Sequence, residues 1–214
     1  MIYTKIIIAV LLSIPLICAN AQEITVLDEQ GQPLANAVIE ISHPLLRVTE
    51  SPNKELYIVD QVDKQFVPQV LAIPQFSNVS FPNSDNIRHH VYSFSKTKPF
   101  ELKLYAGKPK APLTFDKSGV VVLGCNIHDS MVGYIYIASN RVFSISNDLG
   151  KVELSLPREV VKDGQILIWH PQQKLGVENL RSMNIQEVID NQYRVTISTN
   201  PPSPRNTFEQ LFNK

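Results

Sequence analysis

Short apolar runs separated by turn-forming residues make up most of the chain, and almost no stretch has the period of a helix. Apolar and polar side chains alternate in Phe100–Tyr105, which is typical of a half-buried strand. Val120–Leu123 and Tyr134–Ile137 are apolar runs close to glycine, asparagine or aspartate residues, which favour turns. Many short strands at regular spacing predict an all-β protein built as a sandwich.

The first residues have the features of an export signal. Lys5 precedes the apolar core Ile6–Ile17, and the small residues of Ala19–Ala21 follow it. We therefore expect residues 1–21 to form a signal peptide that is cleaved after Ala21. The apolar core is shorter than the ~20 residues that a membrane span needs, so we expect no membrane span.

Charge and cysteine content narrow the function further. The chain has 20 basic and 20 acidic residues and no run of Lys or Arg, so we expect no nucleic-acid partner. Removal of the signal peptide would leave Cys125 as the only cysteine, which excludes an intramolecular disulfide. Free thiols oxidise outside the cytosol, and this favours a metal-ligand role for Cys125 over an inert buried one.

Three potential metal ligands recur at every third position from Cys125, namely Cys125, His128 and Met131. Thiolate and thioether are soft donors and imidazole is intermediate, a set that suits copper better than calcium or magnesium. Two His and one Cys with a distant axial Met form the ligand set of a blue-copper electron-transfer site. A second His would then come from elsewhere in the fold, and the upstream pair His89-His90 is the candidate.

These two stretches resemble the ligand segments of the cupredoxins, the copper proteins that include plastocyanin and amicyanin. The resemblance covers about residues 56–138 and implies a Greek-key β-sandwich that holds one type 1 copper. The residues that carry it are Asn83, His89-His90-Val91, Cys125, His128 and Met131-Val132-Gly133. As a whole, the chain resembles periplasmic proteins described as methylamine-utilisation proteins, which implies a periplasmic location after export.

Only one of the adjacent residues His89 and His90 can face a site from a regular strand, because neighbouring side chains point to opposite faces. The family's ligand precedes x-Val, so the resemblance selects His89 and implies the ligand set His89, Cys125, His128 and Met131. The backbone N–H of His90 would then donate to the Cys125 sulfur. Asn83 either ties the two ligand segments together, as in the family, or is a simple turn residue.

A second resemblance suggests how the rest of the chain is organised. The opening pattern from Val26 to Val38 resembles the first hairpin of carboxypeptidase-regulatory-like, Ig-like β-sandwiches, and a matching turn follows only at Asp148–Gly150. We therefore expect residues 22–55 and 139–200 to form a small second sandwich around a cupredoxin domain at 56–138, with a flexible tail at 201–214. The alternative is one enlarged sandwich with additional strands at both ends.

Three functions compete. The leading hypothesis is a non-enzymatic copper protein that carries electrons between redox protein partners that the sequence does not identify. The second is a copper-binding or metal-delivery accessory module, suggested by the companion sandwich. The third is an oxidase or nitrite-reductase-like enzyme, which would need a further copper site, yet the chain has five His and no His-x-His pair. Zinc accepts the same His and Cys donors and remains a possible metal.

Overall fold

A computed structural model describes residues 21–49, 56–107 and 111–201. The predicted signal peptide, apart from Ala21, and the predicted tail, apart from Pro201, lie outside these ranges. Within them the chain is mostly β, as predicted, with one short α-helix, α1 (Ile185–Asp190), and 3₁₀ turns at Pro44–Leu46 and Arg158–Val160. The strands are β1 Ala21–Leu27, β2 Val38–Ser42, β3 Leu56–Ile58, β4 Asp60–Val62, β5 Gln65–Val67, β6 Val70–Pro74, β7 Ser77–Ser80, β8 His89–Ser93, β9 Phe100–Tyr105, β10 Leu113–Phe115, β11 Gly119–Cys125, β12 His128–Ala138, β13 Phe143–Ile145, β14 Lys151–Ser155, β15 Gln165–Trp169, β16 Arg181–Asn184 and β17 Arg194–Thr196.

The central element is a five-stranded sheet with the order β6-β12-β11-β8-β9. β12 pairs antiparallel with β11 and parallel with β6, while β11 pairs antiparallel with β8. One face of this sheet packs with the smaller sheet β10-β7-β3 through a shared apolar core that includes Val79, Val91, Phe115, Val121 and Ile135. Cys125 and Met131 belong to the same core.

The segments on either side of the central sheet pair with one another. β1 pairs with β14 and β17, and β2 pairs with β13 and β15, so strands more than a hundred residues apart share a sheet. Their buried side chains form a separate apolar core, which includes Ile24, Ile39, Val152, Ile166 and Val195.

A third, smaller core joins the central sheet to the sheet β13-β2-β15-β16. Trp169 of β15 and Val38 of β2 pack there against Val120 of β11 and Tyr136 of β12. Trp169 is fully buried, its indole N–H donates to Val177 O at 2.7 Å, and its ring centroid lies 6.1 Å from that of Tyr136. This tryptophan is a core residue.

A buried carboxylate also links these two sheets. Glu40 of β2 is 1% exposed and accepts hydrogen bonds from the Tyr136 hydroxyl at 2.7 Å and the Ser139 hydroxyl at 2.8 Å. The backbone N–H and side-chain amide of Asn140 donate to it at 2.8 and 2.7 Å. Four donors satisfy its oxygens, which offsets the cost of burying a carboxylate. Burial and the Glu40 charge raise the pKa of Tyr136 well above its usual value.

Some strand limits differ from those the pattern indicates. The largely apolar run from Pro33 to Ile41 is a strand only from Val38 on, because Asn36 has a φ of 64°, in the left-handed region. A weak helical pattern over residues 178–190 gives helix only in α1, since its first half contains β16, which pairs with β15. Among the described residues, no helix is long and apolar enough to cross a membrane.

We expect Glu40→Gln to lower the free energy of unfolding by about 2–4 kcal/mol, because an amide NH₂ would face donors in a site closed to water. Chemical denaturation monitored by circular dichroism measures this change. Glu153→Gln on β14, where the side chain is exposed, is the matched control and should change the free energy by less than about 0.5 kcal/mol. Equal effects of the two variants would contradict the structural role of Glu40.

Candidate metal centre

Alternation along β8 decides which of the two adjacent histidines points inward. His89, Val91 and Ser93 are buried, while His90 and Tyr92 lie on the other face and are half-buried. Val91 belongs to the core that also contains Cys125, so the face of β8 that carries His89 is the face toward that core.

Cys125 is the last residue of β11 and is 2% exposed. It pairs with Val91 of β8 on one side and with His128 of β12 on the other. The register is irregular here, because Gly124 pairs with Val132 and residues 129–131 lie between the two pairs. His128 is therefore the first residue of β12, directly after the two-residue turn Asn126-Ile127 that joins β11 to β12.

The structure brings His89, Cys125 and His128 together. Cys125 Sγ lies 3.5 Å from His89 Nδ1 and 3.7 Å from His128 Nδ1, and the three potential ligand atoms all lie within 4.8 Å of one another. A metal about 2.0 Å from an imidazole nitrogen and about 2.3 Å from a thiolate separates these donors by about 3.5–3.8 Å at tetrahedral to trigonal angles. The spacing and the donor chemistry therefore fit one metal ion.

Met131 is 1% exposed and belongs to the same buried core as Cys125. It lies in the irregular stretch 129–131, and its neighbours Asp129 and Ser130 are exposed. The thioether is thus the inward-facing side chain of this stretch, on the Cys125 side of the sandwich.

The other histidines lie outside this cluster. His90 Nε2 is 2.9 Å from Glu101 Oε1, without the geometry of a hydrogen bond. His43 caps the turn at Pro44–Leu46, and its Nδ1 accepts the Leu45 N–H. His170 is buried, its Nε2 lies 3.1 Å from Ala35 O, and burial lowers its pKa. A donation from His90 N–H to the Cys125 sulfur stays a prediction.

Asn83 organises the turn that leads into β8. Its side-chain amide donates to Ile87 O at 2.8 Å and to Tyr105 O at 2.9 Å, and its Oδ1 accepts the Asp85 N–H at 3.0 Å. These bonds tie the His89 segment to β9 and not to the Cys125 hairpin. Of the two interpretations of Asn83, the turn residue is the one supported.

Sequence reasoning missed Asp85, which contacts His89 directly. Asp85 Oδ2 lies 2.6 Å from His89 Nε2, and the carboxylate also accepts the backbone N–H groups of Asp63 and Lys64 at 2.7 and 3.0 Å. The spacing of four residues between Asp85 and His89 was visible, but Asp85 stands in a turn rather than in a helix, so no periodicity signalled the contact.

Asp85 and His128, two of the groups around His89, are held in the protonation state that suits a metal site. Burial raises the pKa of Asp85, but hydrogen bonds from Lys64 N–H, His89 and Asp63 N–H bring it below its usual value. Burial lowers the pKa of His128, and the neighbouring His89 and Lys64 add to the effect, although Asp85 opposes it. An ionised Asp85 and a neutral His128 follow, and neutral imidazole is the form that binds metals.

No protein-family model matches the chain, and no curated protein matches it. Solved structures are similar to about two fifths of it. The chain is 28% identical to the copper-containing nitrite reductase (NirK) from Thermus scotoductus SA-01 over 39% of its own length and 22% of that enzyme, with a TM-score of 0.37. It thus spans about a fifth of the reductase.

Small copper proteins are similar to it over the same extent. A reduced Cu(I) P52G mutant of amicyanin is 21% identical, with coverage of 39% of this chain and 82% of amicyanin and a TM-score of 0.34. A purple cupredoxin from Nitrosopumilus maritimus is 20% identical, with coverage of 39% and 98% and a TM-score of 0.34. Each of these likenesses extends over about 40% of this chain, and the metal chemistry of the site rests on this chain's own residues.

We expect Gly133→Ala to destabilise the protein by about 1–3 kcal/mol, because an added Cβ would lie 2.8 Å from the Phe66 Cβ and force β5 away from β12. Thermal unfolding of the metal-free protein measures the loss. Gly124→Ala is the matched control: its Cβ meets the far end of the Tyr92 ring, which can swing aside, so the loss should be smaller. The reverse order would contradict this account of the packing.

Proposed function

We propose that the chain is a type 1 copper protein that carries single electrons between redox proteins and performs no substrate chemistry. The convergence of His89, Cys125 and His128 on one point, with Met131 in the same core, is the observation that carries the proposal. This donor set, two imidazoles and a thiolate with a thioether nearby, suits copper in an electron-transfer site.

Each of the four residues has a distinct task. His89 and His128 would bind through Nδ1, the nitrogen that each directs at the Cys125 sulfur. Cys125 would bind as the thiolate, and Met131 as the weak axial ligand that helps to set the potential. Copper bound there would supply one-electron chemistry between Cu(II) and Cu(I).

The scaffold suits a carrier because it resists rearrangement. Three of these side chains (those of His89, Cys125 and Met131) are no more than 2% exposed, and each is attached to a strand of the central sheet. Packed interiors allow little motion, so the ligands would keep one geometry in both oxidation states. Electron transfer is faster when the ligands move less between the two oxidation states.

His128 gives the centre its route to the surface. It is only half-buried, and its neighbours Ile127 and Asp129 are exposed, Ile127 by 47%. We propose that this edge receives the redox partners, with Ile127 making apolar contact beside the histidine.

Several features of the leading hypothesis belong to the proposal as well. They are export by residues 1–21 to the periplasm, a Greek-key cupredoxin domain at 56–138, a regulatory-like, Ig-like sandwich at 22–55 and 139–200, a tail at 201–214, and the resemblance to methylamine-utilisation proteins. Paired flanking strands and the separate apolar core around Ile39 support the division into two sandwiches.

A metal-delivery or accessory function is the second candidate. The flanking unit motivates it, because its described residues contribute no ligand to the cluster and so point to a role of their own. Slow or absent reduction of the Cu(II) protein by small redox donors would favour this candidate over the electron carrier.

We expect stoichiometric Cu(II) to give the exported form an intense visible absorption band, from charge transfer between the Cys125 thiolate and copper. The band should bleach on reduction and vanish in Cys125→Ser, because a hydroxyl is a hard and weakly acidic donor. Absorption spectroscopy with one equivalent of copper tests this. An ordinary weak Cu(II) spectrum that does not depend on Cys125 would refute the copper proposal.

The adjacent histidines supply an internal comparison. We expect His89→Gln to weaken metal binding by at least about tenfold and His90→Gln to leave it nearly unchanged, because His90 faces Glu101 on the opposite side of β8. Competition titration with Zn(II) and with Cu(II) measures both affinities. Stronger dependence on His90 would mean that the strand presents the other histidine to the metal.

A further inference from the structure

We infer that Asp85 is the positioning residue of the metal centre: its carboxylate fixes the tautomer of His89 and favours the oxidised state of the bound metal. The second half rests on the proposed function, since it concerns copper. The first half concerns the protein alone and is testable without any metal.

The geometry assigns the proton on His89. Asp85 accepts hydrogen bonds and Oδ2 lies 2.6 Å from His89 Nε2, so Nε2 carries the hydrogen. The lone pair then stands on Nδ1, which lies 3.5 Å from Cys125 Sγ. A carboxylate on the second nitrogen of a ligating histidine fixes the ring and raises its basicity.

Asp85 is itself held from three directions before any metal arrives. Its backbone N–H donates to Asn83 Oδ1 at 3.0 Å, and its two oxygens accept the N–H groups of Asp63 and Lys64. The side chain is 11% exposed. The carboxylate is therefore preorganised, and little freedom is left for it to leave His89.

The same contacts fasten the turn between β4 and β5 to the metal segment. Asp63 and Lys64 have φ angles of 51° and 58°, the left-handed conformation that a two-residue type I′ hairpin turn requires at both central residues. Because Asp85 bonds both of their N–H groups, the turn is locked next to the His89 segment. His89, 0% exposed, is thus shielded from water.

A fixed negative charge in this place has a definite electrostatic effect. Buried charges interact through a medium of lower dielectric constant than water, so Asp85 stabilises the more positive Cu(II) state over Cu(I). Lys64 lies on the same turn with the opposite charge, but its side chain is exposed and is screened by solvent and salt. The net effect is a lower reduction potential than a neutral partner of His89 would give.

The decisive variant is Asp85→Asn, which keeps the size and an acceptor oxygen but removes the charge. We expect Cu(II) affinity to fall by about 10- to 100-fold and Cu(I) affinity to fall less. Each tenfold fall in the ratio of Cu(II) affinity to Cu(I) affinity raises the reduction potential by about 59 mV. Competition titrations in both oxidation states and voltammetry measure these quantities independently.

Asp60→Asn is the matched control. Asp60 is also ionisable, stands on β4, and bonds the same loop through the Ser84 N–H and hydroxyl at 3.2 and 2.7 Å, without touching His89. We expect this variant to leave the affinity ratio nearly unchanged. Equal shifts in the two variants would overturn the assignment, because any nearby carboxylate would then serve.

Nitrogen chemical shifts of the histidines in the metal-free wild-type protein test the first half without a variant. At a pH well above the ordinary histidine value, His89 should be the Nε2–H tautomer, and an Nδ1–H tautomer would overturn the inference. Because it uses the wild-type protein, this measurement still tests the role of Asp85 in fixing the His89 tautomer if Asp85→Asn does not fold. Absence of the thiolate band in the wild type would refute the copper function while leaving the tautomer result intact.

Discussion

The pairing of β11 with β8 on one side and β12 on the other is the constraint on which the centre depends. It sets Cys125 opposite Val91 and opposite His128 at once. Because side chains alternate along β8, the residue two before Val91 faces the same way, and that residue is His89. One register therefore brings together residues 36 positions apart and needs no flexible loop to close around the metal.

Much of the centre could be read from the sequence because its signals are local. The three donors from Cys125 to Met131 stand at fixed spacing after an apolar run, and period-two alternation allows only one of His89 and His90 to face inward. Strand content was similarly readable from short apolar runs between turn residues. Strand limits were not readable in this way, because Asn36 and Tyr193 adopt positive φ angles just before β2 and β17 begin, and composition alone does not reveal this.

Asp85 could not be predicted because its role depends on contacts distant along the chain. The segment from Asn83 to Asp85 reads as an ordinary turn, and nothing in it indicates that the turn of β4 and β5, more than twenty residues earlier, lies against it. Glu40 poses the same problem. It lies on a strand whose sequence gives no sign that Tyr136 and Asn140, about a hundred residues later, surround the carboxylate with donors.

Comparison of the two carboxylates shows what separates a structural acid from one that serves a site. All four donors to Glu40 come from hydroxyl and amide groups, so each hydrogen bond only compensates for burial. One oxygen of Asp85 contacts a histidine whose other nitrogen faces the Cys125 thiol. The charge of Asp85 therefore acts on the metal site as well as on its own hydrogen-bond donors. Glu40 fixes the face of the central sheet that packs against Trp169, through its bond to Tyr136 of β12. Asp85 fixes the start of β8, through its contact with His89. A sheet fixed at both places leaves its ligands little room to shift, which is the condition that a one-electron carrier must meet.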